Sequence, residues 1–149
     1  MRCSITGSPR QFGCIGIDAS TLELIRLIYT FGGLTANTDC HFGKLAMFDR
    51  YDGGFCLAPV YDMLPMLFVP QNDQITAREF EPANPTADTM TAYRHARDLA
   101  EQYWGLLSSD ARVSADFRAI AKTYGETLAP LPRTGAYAYT EDEARDTRQ

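Results

Sequence analysis

Hydrophobic residues recur at helical spacing in three segments of the chain. The first segment begins at Ser20, where Glu23 stands three residues later in a capping-box pattern, and it is apolar nearly all round to residue 31. The Gly32-Gly33 pair that follows is expected to end or loosen the helix. A helix without a broad polar face is usually buried, so we expect this one to be central in the fold.

Two further helices are predicted in the second half of the chain. One is capped at Thr86 or Asp88, runs for about five turns and breaks at residues 108–110. The other opens at Ser114. The apolar positions of the two helices are Met90, Tyr93, Ala96, Ala100, Trp104, Leu107, Phe117, Ile120, Ala121, Tyr124 and Leu128. We interpret their aromatic residues, together with Tyr103, as core packing.

Between the first and second helices, the pattern becomes typical of strands. Residues 45–48 and 55–58 are short apolar runs, and the intervening Asp-Arg-Tyr-Asp-Gly-Gly has a strong turn composition, which predicts a β-hairpin. Residues 65–88 contain four prolines and are expected to form a long loop. The predicted fold class is therefore mainly α-helical with one β-hairpin.

The two ends of the chain lack these patterns. Residues 1–19 are predicted to be irregular, with a short strand at 14–17, because glycine and proline are frequent there. Residues 130–149 are rich in Pro, Thr and charge and have no apolar stripe, so a disordered tail is expected. The predicted organisation is one subdomain at 20–129 between these segments.

Composition narrows the class of function. A length of 149 residues suits one domain, and a net charge of −5 argues against direct nucleic-acid binding, because phosphate contacts require basic residues. No apolar run has the length of a signal peptide or a membrane span. The four cysteines form no C-x-x-C pair, and His41 and His95 complete no zinc spacing. We therefore expect a cytoplasmic protein with idle or buried thiols.

Two acidic residues stand out because each lies in an apolar, turn-rich stretch. Asp39 comes just before the first predicted strand, and Asp62 comes just after the second. A hairpin brings its ends together, so the two carboxylates should be close in space. Because an unpaired charge is expensive to bury, the pair suggests a shared metal or phosphate site.

Asp39, His41 and Lys44 have the spacing i, i+2 and i+5. Phosphotransferases use a related loop, in which an Asp orients the substrate hydroxyl and a second Asp on a later loop holds Mg²⁺ across the ATP phosphates. Asp62 stands where that second Asp would be expected. The simpler readings are a turn cap for Asp39, a structural role for His41, a surface charge for Lys44 and a solvated face for His95.

The chain resembles the HipA-like family of serine/threonine kinases, the toxins of bacterial toxin–antitoxin pairs. The matching text is Asn-Thr-Asp-Cys-His-Phe-Gly at 37–43, Leu-Ala-Pro-Val-Tyr-Asp at 57–62 and Ala-Arg-Val-Ser-Ala-Asp-Phe-Arg at 111–118. The resemblance covers roughly residues 20–125, and the predicted hairpin separates the first two motifs in the expected order.

This resemblance implies a role for each candidate residue. Asp39 would be the catalytic aspartate, and Asp62 would bind the metal as the Asp of a kinase DFG motif does. His41 and Lys44 would line the phosphate side, and Tyr61 would lie against the nucleotide. The implied cofactors are Mg²⁺ and ATP. The implied partners are a protein substrate with Ser or Thr and an antitoxin-like DNA-binding protein.

The sequence departs from the family pattern in two ways. Lys44 stands where the family usually has an Asn that ligates metal, and a charged lysine has no lone pair to offer. The sequence also has no Gly-rich loop followed by a lysine-bearing strand, so we expect only the C-terminal lobe and a separate N-terminal lobe as a possible partner. Three functions stay open: a kinase lobe, a degenerate pseudokinase-like interaction module, and a Mg²⁺-dependent phosphodiesterase or nuclease.

Overall fold

Three helices and one two-stranded antiparallel hairpin make up the regular structure of the described residues, which confirms the predicted fold class. The structure is a computed structural model that describes residues 17–49, 51, 54–72, 74–75 and 78–131. The helices are α1 (Ala19–Leu34), α2 (Met90–Ser109) and α3 (Ala115–Leu128). The strands are β1 (Met47–Asp49) and β2 (Phe55–Leu57), and short 3-10 turns occur at Phe42–Lys44 and Met66–Phe68.

The α1 helix begins earlier than predicted. Its N-cap is Asp18, whose Oδ1 accepts hydrogen bonds from the Thr21 backbone N–H at 2.7 Å and from Ser20 Oγ at 2.6 Å. The predicted capping box between Ser20 and Glu23 is therefore wrong, because Asp18 already supplies the oxygen acceptor. Glu23 instead accepts from Arg26 Nη1 at 2.5 Å, and from an α2 threonine hydroxyl at 2.9 Å.

The glycine pair does not end α1, which continues to Leu34. A Cβ built on Gly32 would lie 2.8 Å from Cys40 Sγ, closer than side chains tolerate. The Gly32 carbonyl also accepts from the backbone N–H of Asn37 at 3.0 Å. Gly32 is therefore needed for a close approach between α1 and the loop that carries Asp39, and this tertiary contact was not visible in the helical pattern.

The core forms around Trp104 on α2, a helix that packs against both α1 and α3. The Trp104 indole is fully buried and contacts the rings of Phe68 and Tyr124 at centroid distances of 6.4 and 6.0 Å. Its Nε1–H donates to the Leu34 carbonyl at 3.1 Å. The predicted core role of the aromatic residues is confirmed, and the Trp104 contact holds the end of α1 from which the candidate site starts.

Several smaller predictions have mixed outcomes. The N-cap of α3 is Ser114 as predicted, and its hydroxyl accepts from the Phe117 N–H at 3.3 Å. The N-cap of α2 is Thr89, so neither Thr86 nor Asp88 has the predicted position. His95 is exposed on α2 as expected.

The predictions for the two ends fall mostly beyond the described residues. Residue 17 belongs to no strand, and residues 14–16 of the predicted strand lie outside the described part. So does the predicted tail from residue 132 onward. Cys40 and Cys56 are free, partly exposed thiols, while the two cysteines at 3 and 14 lie outside that part as well. Within the described ranges, no helix is long and apolar enough to cross a membrane.

The turn between α2 and α3 provides a test of acid stability. Asp110 accepts from Arg112 Nε at 3.0 and 3.1 Å, from Nη2 at 2.5 Å and from the backbone N–H at 2.9 Å. The Arg112 side chain lowers the pKa of Asp110 to about 2 from its ordinary 3.8. Because the folded pKa is depressed, this stabilisation is complete above pH 3.8 and is lost as the pH falls through about 2.

We therefore expect the melting temperature of the unmodified chain to fall further between pH 5 and pH 2 than that of the Asp110→Asn variant. Thermal denaturation followed by circular dichroism across this range measures the difference. Asp98→Asn, on the exposed side of α2, is the matched control and should keep the acid sensitivity of the unmodified chain. Equal losses in the unmodified chain and in Asp110→Asn would contradict the expectation.

Candidate functional site

The two predicted carboxylates meet at the ammonium group of Lys44. Lys44 Nζ donates to Oδ2 of Asp39 and also to Oδ2 of Asp62, which are 23 positions apart in the chain. The β1–β2 hairpin lies between the two aspartates and returns the chain to its starting side. The predicted proximity of the pair is therefore confirmed.

The backbone around the hairpin explains this convergence. The strands pair Met47 with Leu57 and Asp49 with Phe55. One residue beyond the Met47–Leu57 pair, the Ala58 N–H donates to the Ala46 carbonyl at 2.8 Å. The chain entering β1 and the chain leaving β2 are thus held side by side. Lys44 ends the 3-10 turn at Phe42–Lys44, two residues before β1, and so lies close to the pair.

Asn37 ties the two carboxylate segments together from the buried side. Its Oδ1 accepts from the Asp39 backbone N–H at 3.1 Å, and its Nδ2 donates to the Asp62 carbonyl at 3.3 Å. The side chain lies in the buried part of the loop. Asn37 is the first residue of the 37–43 motif, but the sequence alone did not indicate its role. The available signal was the Asn two residues before Asp39, since Asn side chains close such turns on a backbone N–H.

Two residues of the site adopt the left-handed backbone conformation. Ala36 and Asp62 both have φ of 57°. Asp tolerates this region better than Ala does, and a non-glycine residue there costs of the order of 1 kcal/mol or more. The Ala36 carbonyl accepts from the Leu67 N–H at 3.1 Å, which anchors the strained loop to the segment after Asp62.

His41 and Tyr61 line the cleft beside the carboxylate pair. His41 Nδ1 accepts from the Gly43 N–H at 3.1 Å, so the neutral ring carries its proton on Nε2. That Nε2 lies 3.8 Å from Asp39 Oδ1, the oxygen that Lys44 leaves free. Tyr61 is half exposed beside Asp62. Lys44 thus joins Asp39 to Asp62, and His41 lies near Asp39. His41, Lys44, Tyr61 and Asp62 line one cleft.

Lys44 dominates the electrostatics of the site. The hydrogen bond from Lys44 lowers the pKa of Asp39. The bonds to Asp39 and Asp62 raise the pKa of Lys44. Burial raises the pKa of the neighbouring Cys40 thiol, which is therefore a poor nucleophile near neutral pH. Asp39 and Lys44 consequently form a charged pair across the physiological range.

The cleft beside the pair is small. It has a volume of about 30 Å³ and is lined by the hairpin ends, Lys44 and residues 57–63. A second cavity of about 250 Å³ lies beyond Asn37, against the loop that leads to α2, and it contacts none of the five predicted site residues. Pockets for drug-sized ligands usually measure about 300–1,000 Å³. Neither cavity has the size that ATP requires.

The donor set was compared with the needs of Mg²⁺, the metal that the resemblance implies. Mg²⁺ prefers six oxygen ligands in octahedral geometry. Across the described ranges, no group of three or more His, Cys, Asp or Glu side chains could hold a metal. The Lys44 ammonium also contacts one oxygen of each carboxylate. With Lys44 in this position, the site does not fit Mg²⁺.

Comparison with known proteins adds one relationship. The chain is 35% identical to Toxin YjjJ of Escherichia coli (strain K12) over 106 residues. The matched region is 70% of this chain and 24% of Toxin YjjJ, so the chain spans about a quarter of that relative's length. No family model and no solved structure matches the chain. The homology to Toxin YjjJ supports a relationship to a toxin. Kinase activity, ATP and magnesium stay predictions.

Proposed function

We propose that the chain is the C-terminal catalytic subdomain of a HipA-like serine/threonine kinase of the toxin type. The observation that carries this proposal is the meeting of Asp39 and Asp62 across the β1–β2 hairpin. Two motif aspartates in the expected order have been brought to one point by the fold. The homology to Toxin YjjJ supports the toxin part of the proposal.

Asp39 has the better placement for a role in proton transfer. Its side chain is 43% exposed, so a substrate hydroxyl has access to it. The Oδ1 atom is left free by Lys44, and His41 Nε2 lies 3.8 Å away, where it contributes a second polar group on the same side. In the proposed reaction, Asp39 orients the Ser or Thr hydroxyl and accepts its proton.

Asp62 and Lys44 have supporting roles in the same proposal. The buried Asn37 amide holds the Asp62 backbone in place, and the Asp62 carboxylate accepts from Lys44. Lys44 supplies the positive charge that allows two carboxylates to lie together, and a neighbouring phosphate would also be attracted to it. Tyr61 offers an exposed ring beside Asp62, where a nucleotide base could stack.

A second candidate is the pseudokinase-like interaction module, which binds a partner instead of transferring phosphate. The small cleft favours this candidate for the chain taken by itself, because 30 Å³ leaves no room for a nucleotide. A separate N-terminal lobe and an antitoxin-like DNA-binding protein are the partners proposed for it. The phosphodiesterase alternative gains no support, since the described residues offer no third metal ligand near the pair.

A chimera tests the proposed function. In it, the 106 matched residues of Toxin YjjJ are replaced by the corresponding part of this chain. The chimera is expected to transfer the labelled γ-phosphate of ATP to Ser or Thr of a protein, itself included, and unmodified Toxin YjjJ is the reference. A folded chimera that transfers no phosphate under conditions in which unmodified Toxin YjjJ does, measured by label incorporation and mass spectrometry, would refute the kinase proposal.

The isolated chain is expected to bind Mg·ATP with a dissociation constant weaker than about 1 mM, an affinity that corresponds to about −4 kcal/mol. The physical reason is the size of the cleft, which cannot bury the nucleotide. Isothermal titration calorimetry with the 149-residue chain makes the measurement. Low-micromolar binding would show that a nucleotide site forms without a second lobe.

A further inference from the structure

The cation that lies between Asp39 and Asp62 is part of the chain itself. Two carboxylates that converge on one point repel each other unless a positive charge lies between them. The Lys44 ammonium occupies that position, with one donor directed at each Oδ2. Two carboxylates and one ammonium leave the cluster with a net charge of −1, which is a weak attraction for a further cation.

The Lys44 side chain is well seated for this task. It is 26% exposed, less than either carboxylate, so it lies beneath them and not out in solvent. The Lys44 backbone N–H donates to the His41 carbonyl at 3.0 Å, and this bond holds the turn from which the Lys44 side chain extends. A lysine ammonium is a compact point charge with three donors, and two of these are used here.

The carboxylates have a scaffold that does not involve Lys44. Asn37 bonds the Asp39 backbone N–H and the Asp62 carbonyl, and the hairpin holds the two segments side by side. Removal of the ammonium should therefore leave the two backbone segments in place and their carboxylates uncompensated. In that state they would attract a divalent cation, with water completing its coordination shell.

We propose that Lys44 is a tethered counter-cation that takes the place of a divalent metal between Asp39 and Asp62, and that it excludes such a metal from the pair. The inference goes beyond the proposed function, because it concerns the charge balance of the pair and holds with or without phosphoryl transfer. It also departs from the Mg²⁺ site that the HipA-like resemblance implies.

The test is a titration of the full chain with Mn²⁺ alone, followed by electron paramagnetic resonance. Mn²⁺ prefers oxygen ligands, as Mg²⁺ does. The unmodified chain and the Asp62→Asn variant should bind Mn²⁺ equally weakly, because the pair takes up no metal. Lys44→Asn should bind Mn²⁺ roughly tenfold or more tightly than the unmodified chain, because a repelling charge is removed and an amide oxygen is added.

Two controls define the source of any gain. Lys122→Asn makes the same charge change on the exposed face of α3 and should bind Mn²⁺ as the unmodified chain does. The double variant Lys44→Asn/Asp62→Asn should lose the gain. A folded Lys44→Asn variant without tighter binding would refute the proposal. So would tenfold tighter binding by the unmodified chain than by Asp62→Asn, a comparison that stands even if Lys44→Asn fails to fold.

The result is separable from the outcome of the kinase experiment. Mn²⁺ affinity is measured on the chain without ATP, substrate or a second lobe. A chimera that transfers no phosphate would leave the expected Mn²⁺ affinities unchanged. Mn²⁺ affinities that contradict the proposal for Lys44 would likewise leave the result of the phosphate-transfer assay unchanged.

Discussion

The Asp39→Asn variant of the Toxin YjjJ chimera is expected to lose at least about 100-fold of its phosphoryl-transfer rate, since positioned general bases contribute about 10²–10⁴-fold. The amide keeps the shape of the side chain but cannot accept the proton of the substrate hydroxyl. It also gives up the charge that pairs with Lys44. Transfer of labelled phosphate at saturating ATP measures the rate.

Asp62→Asn should cause a loss of similar size in the same assay, because it removes the other carboxylate that Lys44 bridges. Asp98→Asn is the matched control: this aspartate is exposed on α2, and the substitution should leave the rate unchanged. Circular dichroism should show the same helical content in all three variants. An undiminished rate in either Asp39→Asn or Asp62→Asn would remove that residue from the proposed mechanism.

The Trp104→Ala variant is expected to lower the free energy of unfolding by about 3–5 kcal/mol, the usual cost of removing a buried aromatic side chain. Trp104 is fully buried and packs on Phe68, Tyr103 and Tyr124, so its removal leaves a cavity at the junction of the three helices. Chemical denaturation with urea measures the change. A loss of that size is a large part of the total stability of a typical domain, which is about 5–15 kcal/mol.

Two companion variants separate the contributions to this effect. Trp104→Phe keeps an aromatic ring but leaves the Leu34 carbonyl without its indole donor, which is expected to cost about 1–3 kcal/mol. Leu106→Ala, on the exposed side of the same helix, should change stability by no more than about 0.5 kcal/mol. A Trp104→Ala loss as small as that of Leu106→Ala would contradict the central position given to Trp104.

Hydrophobic spacing predicted the helices and the hairpin because these patterns record which face of each element is buried. It failed at the two boundaries of α1, where one hydrogen bond at the start and one packing contact at the end decided the outcome. Asp18 caps the helix in place of Ser20. Gly32 lies within the helix, where its missing side chain lets the loop at Cys40 pack closely. Arg97 is a related case: it is buried within α2 because its guanidinium donates to the Leu128 carbonyl at 2.9 and 3.1 Å.

The candidate site was predicted in part. The order of motifs around the hairpin was sufficient to place Asp39 near Asp62, since any hairpin of that length closes the distance between its ends. Lys44 was interpreted as a surface or phosphate-adjacent charge, whereas the structure pairs it with both carboxylates. The role of Asn37 depends on a contact with the Asp62 carbonyl, 25 positions away, and no local pattern encodes that contact.

By itself, therefore, the sequence determined the element types, the core-facing aromatic residues and the proximity of two aspartates, because periodicity and turn composition act over a few residues. The tertiary structure decided what lies between those aspartates. A lysine five positions after Asp39 could have pointed to solvent, to a phosphate or to a partner. It bridges the pair because the 3-10 turn, Asn37 and the hairpin converge there, and two neighbouring negative charges require a positive one.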